Sequence, residues 1–227
     1  MKFKFLMIFS AVASLLLASC EYDNFDAPES TFSGRVVYNE QPIAIRNNGP
    51  ELQLWQDGYP LKEVIRVYID HNGNFSAKLF DGAYKMTRRA DAPWLQQPTD
   101  TIRFNVKGST AMDVPVTPYF TVTGESFQKS GNNITAKFVV NKVVQTANLD
   151  AVQLFLGSSI LTDQGRNELP NPVSANLGNL VLGQQTELVG ALPDRLKNLD
   201  FIYARVGVKS TSAGEYIYTP VQKIALK

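Results

Sequence analysis

The chain has 227 residues, of which 44% are hydrophobic and 19% charged, with a formal net charge of +1. Apolar and aromatic residues recur along nearly its whole length, which excludes an intrinsically disordered chain and suits one large or two small domains. The 22 basic and 21 acidic residues leave no basic excess to attract nucleic acid.

The first residues, "MKFKFLMIFSAVASLLLASC", place Lys2 and Lys4 before an apolar run from Phe5 to Leu17 and then small residues. This is the pattern of a secretory signal peptide. The apolar run is 13 residues long, short of the roughly 20 that a spanning helix needs. Leu17-Ala18-Ser19-Cys20 resembles the bacterial lipobox. That resemblance implies cleavage before Cys20 and a diacylglyceryl group on its sulfur. Each buried CH₂ of such an anchor is worth about 0.8 kcal/mol. Cys20 is the only cysteine, so it has no partner for a disulfide or a redox pair. The expected division is a signal over 1–19 and an acidic tether over 20–30. Without Lys2 and Lys4 the formal net charge would be −1. Glu21, Asp23, Asp26 and Glu29 follow the cysteine with no basic residue among them. Acidic residues at this place resemble the surface-export signal of Bacteroidetes lipoproteins, which implies an outer-membrane, cell-surface location.

From Thr31 the dominant period is two, the mark of half-buried strands. "TFSGRVVYN" sets Phe32, Gly34, Val36 and Tyr38 on one face. "ELQLWQ" puts Leu52 and Leu54 on one face, Gln53 and Trp55 on the other. Val67 and Ile69 precede Asn72-Gly73, and Phe75, Ala77 and Leu79 follow it. That dipeptide predicts a β-hairpin, since both residues tolerate positive φ. "TIRFNV" buries Ile102, Phe104 and Val106. "AMDVPVTP" reads as an edge or terminal strand, because Pro115 lacks a ladder donor. Further on, "NITAKFVVN", "LDAVQLFLG" and "FIYARVGVKS" alternate in the same way. "EYIYTPVQKIAL" is the expected hairpin partner of the last of these. Only "LPDRLKNLD" suggests a short helix or turn. The predicted fold class is all-β, with two tandem β-sandwich domains over 31–118 and 119–227 behind the signal and tether. A single large sandwich is the second architecture compatible with this pattern.

The pieces Gly34, Val36, Pro42 and Ile43, then Asp70, Gly73 and Phe75, then Gly82 and Tyr84 resemble the carboxypeptidase-regulatory, transthyretin-like domain. Glu40 departs from that pattern, where a glycine is common. The C-terminal half is similar to immunoglobulin or fibronectin type III domains. The phrases at 51–60, 75–84 and 106–120 resemble a two-domain Bacteroidetes lipoprotein family of unknown function, over nearly the whole mature chain. That resemblance implies an accessory role beside outer-membrane glycan transporters in polysaccharide utilisation.

Catalytic and metal chemistry find little support in the residues. One histidine, His71, sits beside a turn, and with one lipidated cysteine it cannot build a zinc site. "DHNGNF" fails as an EF-hand loop, since Phe75 stands where glycine is required. No nucleophile elbow, P-loop or dinucleotide fingerprint occurs. Asp57, Asp70, Asp81, Asp91 and Asp100 fall in predicted turns, where carboxylates routinely cap amides. No enzyme activity, no metal and no cofactor are therefore expected. Aromatic rings are the better signal, because sugar C–H faces stack on them. Trp55 stands on the polar face of its strand, Tyr59 follows in "GYP", and Trp94 lies in a polar loop with Gln96 and Gln97. These three are the candidate glycan-stacking residues. The expected partners are the membrane through Cys20, a polysaccharide and an outer-membrane transporter complex. The alternative function is a structural or adhesive protein–protein module without sugar affinity.

Overall fold

The computed structural model describes residues 26–58, 62–89, 91–96 and 101–227. The signal peptide, Cys20, most of the tether and Tyr59 lie outside the described residues. The chain is nearly all β, in two domains of two sheets each.

In the first domain, β1 (Ser30–Tyr38) is the spine of one sheet. Both of its edges are taken. Phe32 pairs with Ala77 of β5 (Asn74–Leu79) on one side and Thr110 of β8 (Ser109–Ala111) on the other. Val37 pairs with Pro42 of β2 (Gln41–Pro42) and with Pro115 of β9 (Val114–Pro115). The proline sits on a two-residue edge strand, where the missing donor costs nothing. The second sheet runs β4-β3-β6-β7, formed by Ile65–Tyr68, Glu51–Gln56, Gly82–Arg88 and Ile102–Val106. The two inner faces meet through rings. Phe32 stacks on Phe104 at 4.6 Å and tilts against Phe75 at 5.2 Å, and Tyr84 stacks on Phe104 at 5.8 Å.

Asn72-Gly73 does not make the expected hairpin. β4 and β5 belong to different sheets and touch through one bridge, Ile69 to Phe75. The turn is a corner between layers. Asp70 Oδ1 accepts the amides of Asn72 and Asn74, each at 2.8 Å. The Gly73 carbonyl accepts the Val36 amide at 2.8 Å, which docks the corner on β1. Gly73 has φ +84°, and a Cβ there would lie 2.4 Å from the Ile43 carbonyl oxygen. Glycine is therefore required twice over at this position, by backbone angle and by space.

In the second domain one sheet runs β10-β11-β14, from Phe120–Ser130, Asn133–Lys142 and Gln185–Ala191. The other runs β13-β12-β15-β16, from Val173–Ser174, Leu149–Gly157, Phe201–Ser210 and Tyr216–Tyr218. β17 (Gln222–Ala225) also pairs with β15, so "EYIYTPVQKIAL" supplies two short strands rather than one. A four-residue helix, α1 (Asp194–Lys197), precedes β15. Ile134, Ala136, Phe138 and Val140 face Val152, Leu154, Leu156, Ile202, Ala204 and Val206 across a core with no solvent exposure.

The domains are bonded to each other over a broad front. The Tyr218 amide donates to the Ala44 carbonyl at 2.9 Å. Arg46 forks onto Glu215, with Nε to Oε2 at 2.9 Å and Nη2 to Oε1. The Gly214 amide donates to Asp91 Oδ1 at 2.6 Å. Ala44 caps a ring cluster of Phe155, Tyr216 and Tyr218 on the outer face of the second domain. Arg205 is completely buried in this front. Its Nη1 donates to the Ile45 carbonyl at 3.2 Å and its guanidinium lies 4.0 Å over the Tyr218 ring. Its Nε and Nη2 find no acceptor among the described residues. Burial pulls this guanidinium down to about 10, partly offset by Tyr218 and Asp163.

Candidate functional site

The outer face of the β4-β3-β6-β7 sheet gathers the polar and aromatic residues of the first domain. Strand alternation puts Leu52 and Leu54 inward, so Glu51, Gln53 and Trp55 turn outward. Register then fixes the neighbours. Trp55 stands opposite Lys85, and Lys85 opposite Arg103. Gln53 stands between Arg66 and Thr87, and Glu51 opposite Tyr68. Trp55 is partly exposed and Tyr68 is 51% exposed. The rows of Trp55 and Tyr68 lie four residues apart along β3, about 13 Å.

The charges on this face are already organised. Glu51 is 1% exposed, accepts Gln53 Nε2 at 3.1 Å, and lies 3.5 Å from Arg89 Nη1 and 3.9 Å from Arg66 Nη1. Lys85 Nζ meets Asp57 Oδ1 at 2.6 Å. The Lys85 hydrogen bond holds the Asp57 carboxyl below the usual carboxylate range, against some desolvation and with help from the charges of Lys85, Arg103 and Lys62. Arg103 is exposed and makes no ion pair among the described residues. The face thus offers ring surface, a side-chain amide, a hydroxyl and cationic donors, a set suited to hydroxyl-rich ligands.

Trp94 does not join it. Its side chain is 1% exposed and belongs to the core. The loop that holds it is tied down by its backbone: Trp94 bridges Pro118, and the Leu95 amide donates to the Thr117 carbonyl at 2.8 Å. This pairing with the segment between the domains turns the indole inward, so the expectation of a stacking face at Trp94 is corrected. His71 is half-buried beside the domain front rather than free in solvent. Arg66, Tyr68, Thr87 and Arg103 were not singled out from the sequence. Their outward positions followed from the period of their strands, but their juxtaposition depends on cross-strand register.

Among the described residues no three His, Cys, Asp or Glu side chains cluster to hold a metal ion. The second domain carries an open groove of about 460 Å³ between β13 and β14, lined by Ser174, Asn176, Asn179, Gln184 and Thr186. Exposed apolar side chains lie near it, among them Val181 at 63% and Val189 at 48%.

Two family models match in tandem: the N-terminal domain of a protein of unknown function, DUF3823, over residues 30–117, and the DUF3823_C domain of unknown function over 120–223. A DUF3823 family protein from Bacteroides ovatus is 42% identical, with TM-score 0.81, covering 87% of this chain and 100% of its own. One from Parabacteroides merdae is 34% identical, with TM-score 0.78, covering 88% and 100%. A "putative carbohydrate binding protein" from Bacteroides uniformis is 20% identical, with TM-score 0.71, and covers the same shares. At that identity the likeness is one of fold. No curated protein matches the sequence.

Proposed function

Because the chain belongs to the DUF3823 family, we propose that it works as its relatives' fold and its own aromatic face suggest: a non-catalytic, surface-anchored lipoprotein that binds glycan for a polysaccharide-uptake system. The observation that carries this reading is Trp55, partly exposed on the outer sheet face in the strand register of Gln53 and Thr87. An indole on such a face stacks on a pyranose while the amide and hydroxyl meet its hydroxyls. The carbohydrate-binding description of the Bacteroides uniformis neighbour agrees with it. Affinity electrophoresis through polysaccharide gels tests it. Wild-type protein is expected to be retarded by at least one polysaccharide, and Trp55→Ala to lose about tenfold in affinity, the worth of one stacked ring. Retardation that survives Trp55→Ala would move the site elsewhere.

The exposed apolar residues Val181 and Val189 favour the second reading, a protein–protein module in an outer-membrane assembly. A protein that binds no polysaccharide and co-purifies with a membrane partner would replace the first reading by this one. Anchoring through Cys20 belongs to both. Cys20→Ala is expected to shift the protein from the membrane fraction to the soluble fraction. A mass spectrum of the membrane-associated protein without diacylglyceryl on Cys20 would overturn the anchor.

A further inference from the structure

The charge on the Trp55 face is one-sided. Arg66, Lys85, Arg89 and Arg103 stand against two carboxylates, Glu51 and Asp57. Both carboxylates are engaged: Glu51 between Arg66 and Arg89, Asp57 on Lys85. Arg103 feels Asp57 only at longer range and makes no ion pair among the described residues, and its side chain projects from the outer face. It lies in the same cross-strand row as Trp55, with Lys85 between. Two strand spacings make that separation about 10 Å. A sugar chain stacked on Trp55 and running along this row would bring its neighbouring units to a guanidinium. A guanidinium fork matches a carboxylate with two parallel N–H donors, and a neutral hydroxyl gains less from it.

Resting on the glycan reading above, we propose that this face selects acidic glycans, chains that carry uronate carboxylates, with Trp55 as the stacking residue and Arg103 as the carboxylate-binding one. The ion pair would be exposed, so salt screens it over a Debye length of roughly 8–10 Å near physiological ionic strength. Affinity should then fall as salt rises, more steeply for acidic chains than for neutral ones.

Polygalacturonate and its fully methyl-esterified form are suitable probes, because they share a backbone and differ in charge. In affinity gels the wild type is expected to bind the acid form about tenfold more tightly than the ester, as one charge-assisted contact implies. Arg103→Gln should remove that preference and keep the weaker binding to the ester. Trp55→Ala should weaken both. Equal wild-type binding to acid and ester, or binding to neutral polysaccharides alone, overturns acidic selectivity and leaves the glycan reading standing. Absence of binding to every polysaccharide overturns both. Equal retention by polyglutamate, unchanged in Trp55→Ala, would show a plain polyanion surface and also overturn the proposal.

Discussion

His71 and Arg205 show what a single residue contributes where the domains meet. Desolvation holds the His71 imidazole below its ordinary range, and the charge of Arg205 adds to it, while Asp70 pulls the other way. A base depressed in the folded state binds its proton more readily when unfolded. Its contribution is therefore intact above the unfolded value of about 6.5 and is lost as pH falls below that. The urea midpoint of the wild type is expected to drop between pH 7 and pH 5, and that of His71→Gln to drop less. Equal drops would remove His71 from the account. The carboxyls of Asp57, Asp81 and Asp113 are held low by Lys85, Ser30 and Arg35 respectively. Their stabilisation fades only below about pH 4, so the windows separate. Neither His71 nor Arg205 was legible from sequence in this role. A histidine beside Asn-Gly reads as a solvated turn, and an arginine alternating with Ile202, Ala204 and Val206 reads as a strand's wet face. The other domain covers that face, and alternation within one strand carries no information about a second domain.

At the scale of elements, alternation was a sound guide to which side chains point inward. Phe32, Leu52, Leu54, Val67, Phe75 and Leu79 are all buried where period two puts them. Which strand pairs with which was harder to read. Asn72-Gly73 specifies a tight turn by local chemistry, yet a tight turn serves a hairpin and a corner equally well. The eleven-residue β10 went unseen because its outer half is mostly polar and its ladder is broken by an irregularity between Thr123 and Ser126. β15 makes a sharper demand. A Cβ on Gly207 would lie 2.8 Å from the Phe155 ring and 2.9 Å from the rings of Tyr216 and Tyr218. Those rings are the cluster that Ala44 caps. Gly207→Ala is expected to overpack this cluster and cost about 1–3 kcal/mol, read as a lower denaturant midpoint at unchanged slope. An unaltered midpoint would show that the cluster has room to shift.

Taken as a whole molecule, the first domain has two ends with different neighbours. The tether enters at Ser30, whose Oγ donates to Asp81 Oδ1, and Asp81 also receives Gln56 Nε2 at 3.3 Å through its carbonyl. Trp55 and Lys85 sit near this end. β1 then runs about 30 Å to the other end, where β9 pairs with Val36 and Val37 and the chain passes on into the second domain. With a lipid on Cys20, the molecule would stand like a stalked lantern: the second domain out at the tip, the indole down by the stem. A polymer reaching Trp55 would then meet the end of the protein that the tether leaves, about 30 Å from the end that carries the second domain. The nine residues of β1 would then set the distance between the indole by the stem and the second domain at the tip.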